Sequence, residues 1–205
     1  MKPPVIVFAK APVPGLAKTR LVPALGAEGA AALAARMLRH TLAQAVAADL
    51  GPVELCAAPD LTHPLLAEAA ALLGVTLATQ GDGDLGRRMH RAFERHLRLH
   101  DAALLIGTDA PALDARVLQQ AARELGAHDA VFVPALDGGY ALIGLRRDYA
   151  CCFDGMRWSH AQVMADTRER LRAAGLRWAE LPPLADIDEP ADLVHLPPGW
   201  LEALR

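Results

Sequence analysis

Ile106-Gly107-Thr108-Asp109-Ala110-Pro111-Ala112-Leu113 ends an apolar run in a glycine, a hydroxyl, a carboxylate and a proline. The junction reads as the carboxyl end of a buried strand, and in α/β sheets ligands collect outside those ends. A carboxylate there is well placed to meet a phosphate-bound metal ion, which makes Asp109 the first candidate for chemistry. Asp109 also suits a plainer role, opening a turn or capping the helix that begins near Asp114.

Outward from that stretch, short β-branched runs alternate with longer Ala/Leu/Arg segments, the pattern of parallel strands joined by crossover helices. Strands are predicted at Val5 to Phe8, Val53 to Ala57, Val75 to Thr79, Ala103 to Ile106, Ala130 to Val133 and Tyr140 to Leu145, with a short last one near Leu176 to Leu181. Helices are predicted at Ala27 to Ala48, Leu65 to Leu73, Leu85 to Arg98, Ala115 to Leu125 and His160 to Ala174. The step from Val133 through Pro134 and Asp137-Gly138-Gly139 to Tyr140 has no room for a crossover helix, so the sheet turns antiparallel there. The expectation is one domain, residues 1–205, of α/β class: a three-layer α/β/α sandwich on a mostly parallel, mixed sheet.

A chain of 205 residues, 53% hydrophobic, can bury one substantial core. Its net charge of -3 supplies no broad positive field, so no nucleic-acid partner is expected. Three cysteines, two of them adjacent at Cys151 and Cys152, fit neither a disulfide framework nor a Cys-x-x-Cys metal site, and a cytoplasmic location follows. The apolar stretch Val5 to Ala9 is too short for a signal peptide or a membrane span. Helix Ala27 to Ala48 is apolar enough to cover the sheet, and a homo-oligomer contact stays open beside that intramolecular face.

Two loops after strands carry further signals. Phe8-Ala9-Lys10 through Gly15 to Lys18-Thr19-Arg20-Leu21 can present backbone N–H groups and positive charge to a diphosphate. It is neither a Walker A loop nor a G-x-G-x-x-G turn. In Gln80-Gly81-Asp82-Gly83-Asp84-Leu85-Gly86, three glycines suggest close backbone approach, and Gln80 offers donors and acceptors to a nucleobase. Asp84 equally reads as a helix N-cap. Ser159 has the same two readings, cap or acceptor contact, and Trp158 reads as pocket wall or core filler. His90, His96 and His100 sit among arginines and read as an exposed helix face.

Lys10-Ala11-Pro12 through Gly15, Lys18-Thr19-Arg20-Leu21, the run from Gly83 to Met89, Ile106-Gly107-Thr108-Asp109-x-Pro111, Asp137-Gly138-Gly139-Tyr140, Trp158-Ser159, and Asp186-Ile187-Asp188 with Asp192-Leu193 together resemble a known group. It is the glycosyltransferase-A family of small bacterial proteins, of the arsenosugar-biosynthesis glycosyltransferase type. The chain is more distantly similar to phospholactate and molybdenum-cofactor guanylyltransferases. The resemblance runs from about Val5 to Leu193.

The resemblance implies a Rossmann-like nucleotide-diphospho-sugar transferase (GT-A) fold. Ala9, Lys10, Gly15, Lys18, Arg20, Gln80, Gly81 and Asp84 would then flank the nucleotide. Gly138, Gly139, Tyr140, Trp158 and Ser159 would face the acceptor. Asp109 would stand where relatives keep the metal-binding carboxylate of a D-x-D-like site. This chain reads Asp109-Ala110-Pro111 instead, so a second carboxylate must come from elsewhere, with Asp137 and Asp188 as candidates. One or two carboxylates suffice for Mg²⁺ or Mn²⁺. Asp137 alternatively serves as base for an acceptor hydroxyl, and Asp188 alternatively caps the turn through Glu189-Pro190.

Three functions are therefore open. The first is metal-dependent glycosyl transfer from a nucleotide sugar to a small-molecule hydroxyl. The second is nucleotidyl transfer from a nucleoside triphosphate to a phosphorylated small molecule, which the basic loop suits. The third is nucleotide binding without catalysis.

Overall fold

The structure, a computed structural model, describes residues 2–202. Seven strands form one sheet in the order β3-β2-β1-β4-β6-β5-β7. They are β1 Val5–Lys10, β2 Val53–Ala58, β3 Thr76–Thr79, β4 Ala103–Ile106, β5 Ala130–Pro134, β6 Tyr140–Leu145 and β7 Trp178–Glu180. β1 pairs in parallel with β2 and β4, β2 with β3, and β5 with β7. β6 runs antiparallel to both β4 and β5, as the short connection before Tyr140 requires.

Five helices cover the sheet: α1 Val22–Ala47, α2 Pro64–Leu73, α3 Leu85–Leu97, α4 Ala115–Glu124 and α5 Val163–Ala173. The alternation along β1 shows how both faces are filled. Val5, Val7 and Ala9 join one core with Leu38 and Leu42 of α1, Leu66 of α2 and Leu118 of α4. Ile6 and Phe8 join the opposite core with Met89 and Phe93 of α3 and Met164 and Leu171 of α5. A strand covered on both faces has no polar face to show, which is why it reads as an unbroken apolar run.

Helix α1 is interrupted at Gly26, whose φ of 70 and ψ of 168 are not helical, so the regular helix begins at Ala27 as expected. Thr19–Ala47 is long and apolar enough, by length and composition alone, to cross a membrane. Here its apolar side packs on the sheet and into a third cluster, where Leu21, Ala30, Leu33 and Met37 meet Ile187 and Trp200. That cluster anchors the strip after β7 beside the β4 exit.

Several element boundaries shift from expectation by one or two residues, and the start of α5 by three. α5 starts at Val163 rather than His160, because the His160 ring bonds to its own turn, lying 2.9 Å from the Arg157 carbonyl and accepting from Gln162 N. β3 starts at Thr76, one residue late.

Candidate functional site

Beyond the carboxyl ends of β1 and β4, two distant parts of the chain are tied together. Ile187 N donates to the Asp109 carbonyl at 2.8 Å, and the Ile187 side chain is fully buried. With Ile187 turned inward, Asp186 and Asp188 flank it on the site side.

Lys18 closes the arrangement. Its ammonium lies 2.7 Å from Asp109 Oδ1 and 3.2 Å from Asp188 Oδ1, and donates to the Ile187 carbonyl at 2.6 Å. The Lys18 side chain is only 8% exposed, whereas Asp109 and Asp188 are 51% and 43% exposed. Its backbone is left-handed, φ 48 and ψ 45, a conformation that costs a residue with a Cβ about 1 kcal/mol. Arg20 reaches Asp188 Oδ2 at 3.2 Å from the solvent side. Asp109 and Asp188, named from the sequence as candidate ligands of one metal ion, thus converge on one cationic atom.

Next to this point opens a cleft of about 300 Å³, lined by Arg20, Leu136, Asp137, Ala185, Asp186, Asp188, Glu189, Asp192 and His195. Five carboxylates line it against one guanidinium. Burial, and then the neighbouring charges of Asp137, Asp188 and Asp192, hold the Asp186 carboxyl above the usual range. Asp186 was not singled out from the sequence. The signal was there, an Asp-x-Asp spacing around an apolar residue in an extended strip. Asp137 Oδ1 accepts from Gly139 N at 2.8 Å, which fixes its carboxylate at the cleft wall. Asp137 does not meet Lys18.

The turn reading of Asp188 is corrected: Glu189 is the cap of the 3₁₀ turn Pro190–His195. The Asp192 carboxylate accepts from the amides of Asp188 and Glu189. This leaves the Asp188 side chain to the site.

The basic loop delivers Lys18 and Arg20, while several of the N–H groups expected to cradle phosphate bond within the loop. Val13 N turns onto the Ala11 carbonyl, and Leu16 N and Ala17 N both turn onto Val13. Ala9 is buried, while Lys10 and Gly15 are exposed.

Gln80 is not at a base edge. It is 6% exposed, and its amide donates to the carbonyls of Ala9 and Cys56, bracing β1 against β2. The Gln80 to Asp84 loop is held from α3: Arg91 donates to the carbonyls of Gln80 and Asp82, and Arg88 to that of Gly83. A Cβ on exposed Gly81 would strike the Arg91 guanidinium. Asp84 is the N-cap of α3, accepting from Arg87 N at 2.8 Å.

On the other side, Gly138 has no room for an approaching substrate. A Cβ there would overlap the Ala161 carbonyl, and the Gly138 carbonyl accepts from Met164 N at 2.8 Å. A Cβ on Gly139 would lie 3.1 Å from Asp137 Oδ1. Tyr140 packs in the core, edge-on to Phe132 and Trp158, with a buried, unpaired hydroxyl that burial holds strongly toward the protonated form. Trp158 seals the start of α3, where a Cβ on Gly86 would come within 2.6 Å of its Nε1. Ser159 is exposed in a left-handed conformation, φ 62, and is not the α5 cap.

A second group of potential metal ligands, His90, Glu94 and Asp148, lies past the end of β6, at the opposite edge of the sheet. A larger concavity of about 510 Å³ adjoins it, lined by residues of both charge signs. His90 is already paired with Asp148 at 2.6 Å and stacked on Phe153. Size alone does not select a site, and the smaller cleft is the one with unbalanced carboxylates. Burial pushes the Cys56 thiol up to about 11 and holds that of Cys152 protonated as well.

The family described as "Uncharacterized protein conserved in bacteria (DUF2064)" matches residues 41–160. A protein from Desulfovibrio desulfuricans G20, provisionally described as a nucleotide-diphospho-sugar transferase, is 32% identical, with 99% of this chain and 93% of that chain covered and a TM-score of 0.88. CMP:2-keto-3-deoxy-manno-octonic acid synthetase, solved with CTP, has a TM-score of 0.61 at 16% identity, over 95% of this chain and 96% of that one. Glucosyl-3-phosphoglycerate synthase from Mycobacterium tuberculosis, solved with Mn²⁺, UDP and glucosyl-3-phosphoglycerate, has a TM-score of 0.53 at 10% identity, over 99% and 77%. No curated protein matches by sequence. The fold is that of the nucleotide-diphospho-sugar transferases.

Proposed function

The chain belongs to the DUF2064 family of bacterial proteins, and from that premise we propose that it is a transferase using a nucleotide-activated donor, one that passes a glycosyl group from a nucleotide sugar to a small-molecule hydroxyl. The observation that carries this reading is the Lys18 ammonium seated between Asp109 and Asp188. It marks a point where two carboxylates already accept a cation, at the sheet edge where α/β folds place their ligands.

Mg²⁺ or Mn²⁺ fits that donor set, which is all oxygen with open sides for water and diphosphate. Held by Asp109 and Asp188, such an ion supplies charge neutralisation for the departing nucleoside diphosphate. Arg20 and Lys18 pair with the phosphates, beside the exposed Lys10 and Gly15. The exposed Gly81 and Asp84 border the base side. The acceptor enters the cleft beside Leu136 and Asp137, with Gly138, Gly139, Tyr140 and Trp158 packed behind that wall. Its hydroxyl oxygen bonds to the anomeric carbon as the bond from that carbon to the diphosphate oxygen breaks. Its proton passes to the carboxylate of Asp137.

One observation favours a second reading, nucleotidyl transfer. Lys10, Lys18 and Arg20 on one loop match a triphosphate better than a sugar diphosphate. A phosphorylated acceptor brings its own oxyanion and needs no Asp137 base; it bonds to the α-phosphorus as pyrophosphate leaves.

Incubating the purified protein with nucleotide sugars or nucleoside triphosphates, Mn²⁺ and pools of small acceptors separates the two readings. Release of nucleoside diphosphate supports glycosyl transfer, and release of pyrophosphate supports nucleotidyl transfer. If neither is released in excess of an Asp109→Asn control, both fall and non-catalytic binding replaces them.

A further inference from the structure

The position of Lys18 has a consequence for how ligands enter. Its ammonium makes its three close contacts with Asp109 Oδ1, Asp188 Oδ1 and the Ile187 carbonyl, and the side chain is almost wholly covered. A divalent ion bound by the same two carboxylate oxygens needs the volume this ammonium occupies. Two cations cannot share it, since like charges at contact distance repel strongly. Arg20 differs: it lies on the outer oxygen of Asp188, is 66% exposed, and leaves the shared point free.

We propose that Lys18 is a displaceable resident cation. It fills the Asp109–Asp188 position when no ligand is bound and withdraws when nucleotide phosphates offer it another anion, so that metal and nucleotide enter cooperatively. This rests on the reading of Asp109 and Asp188 as metal ligands. Nothing about the arrangement needs a moving domain. Lys18 follows Gly15, φ 76, within a Pro/Gly-bounded loop, and rotation about its four side-chain bonds carries the ammonium out of the contact.

Linkage gives the expected behaviour. A group that must leave before a ligand binds scales the apparent affinity by the fraction of time the site is free of it. Couplings of this kind change affinity by about 5- to 150-fold. Without nucleotide the protein therefore binds Mn²⁺ weakly, and removing the Lys18 charge tightens that binding.

The test measures free Mn²⁺ by its electron paramagnetic resonance signal in titrations of the wild type, Lys18→Met, Lys18→Gln and Arg20→Met, without nucleotide, with melting curves confirming that each variant folds. The expected result is Mn²⁺ binding about tenfold or more tighter in both Lys18 variants, with a change of no more than about threefold in Arg20→Met, whose lost charge is screened by solvent. Equal tightening in the Lys18 and Arg20 variants, or none in the Lys18 variants, overturns the displacement and leaves the metal reading standing. Absence of Mn²⁺ binding in every protein, even with uridine or guanosine diphosphate added, overturns the metal reading itself and makes Lys18 the permanent cation of the site.

Discussion

Two places in this molecule set cations against carboxylates, and they are built to opposite counts. On β2, the single carboxylate of Glu54, 8% exposed, meets Arg95 on one oxygen and His96, at 3.3 Å, on the other. Both partners stand on α3, so the cluster ties that helix to the sheet and leaves no anionic charge over. At the sheet's carboxyl edge the balance is reversed. Lys18 and Arg20 face Asp109 and Asp188, while Asp137 and Asp186 sit in the same cleft with no cation of their own among the described residues. The protonation behaviour follows the counts. Burial alone pushes Glu54 up, but hydrogen bonds and charge from His96 and Arg95 hold it below its ordinary value. Asp186, with burial and only like charges around it, is held above. A network whose charges balance is a brace, and one that leaves carboxylates in surplus is a candidate for binding a cation from outside.

The sharpest way to break this comparison is to neutralise one residue in each place. Asp109→Asn is expected to lower turnover by about 10- to 100-fold or more, since loss of groups around a metal commonly costs that much. Its melting temperature should stay within about 2 °C of the wild type, because the side chain is half exposed. Steady-state rates beside melting curves check this, and a large loss of stability would make Asp109 a brace too.

Glu54→Gln should do the opposite. Removing one partner of a paired, mostly covered charge is expected to cost about 1–3 kcal/mol, discounted because Arg95 is partly exposed. For a chain of this size that is roughly 3–10 °C in melting temperature. Activity per folded molecule should be unchanged. The effect must also depend on pH with a definite sign. Since the folded pKa of Glu54 lies below its unfolded value, the unfolded chain binds the proton first as pH falls. The contribution is therefore complete above the ordinary glutamate value of about 4.3 and is lost as pH drops through the lower, folded one. Urea unfolding of wild type and Glu54→Gln at pH 7 and at pH 3 should show a gap that narrows in acid.

The smallest effect is expected at Asp186. Replacing it with Asn relieves repulsion in the carboxylate cleft, so Asp186→Asn should raise the melting temperature at neutral pH by about 1–2 °C. A fall instead would mean that the surplus of negative charge in the cleft is not what strains it.

The layers were legible in the sequence because strands covered on both faces are apolar without interruption, as Val5 to Phe8 and Ala103 to Ile106 are. The regular part of α1 begins at Ala27, as expected, because the Gly26 backbone leaves the helical region. The meeting of Asp109 with Asp188 was legible only as a pair of candidates, since no local pattern says that Ile187 will be buried against α1 and drag its neighbours to β4. Gln80 and Tyr140 were misread for the complementary reason. Both carry polar groups suited to a ligand, and tertiary packing turned each inward, onto backbone carbonyls in one case and into the aromatic core in the other. Gly138, expected to face the acceptor, is instead packed against Ala161 of the same chain.

The most direct measurement is thermal unfolding of wild type and Asp109→Asn against nucleotide sugars and nucleoside triphosphates, each with and without Mn²⁺. A ligand at a hundred times its dissociation constant adds about 2.7 kcal/mol to the native state, roughly 5–10 °C here. A rise of that order in the wild type, needing nucleotide and Mn²⁺ together and absent from Asp109→Asn, is the predicted result. No rise with any pair, or the same rise in both proteins, would contradict the assignment of the Asp109–Asp188 edge as the place where nucleotide and metal bind.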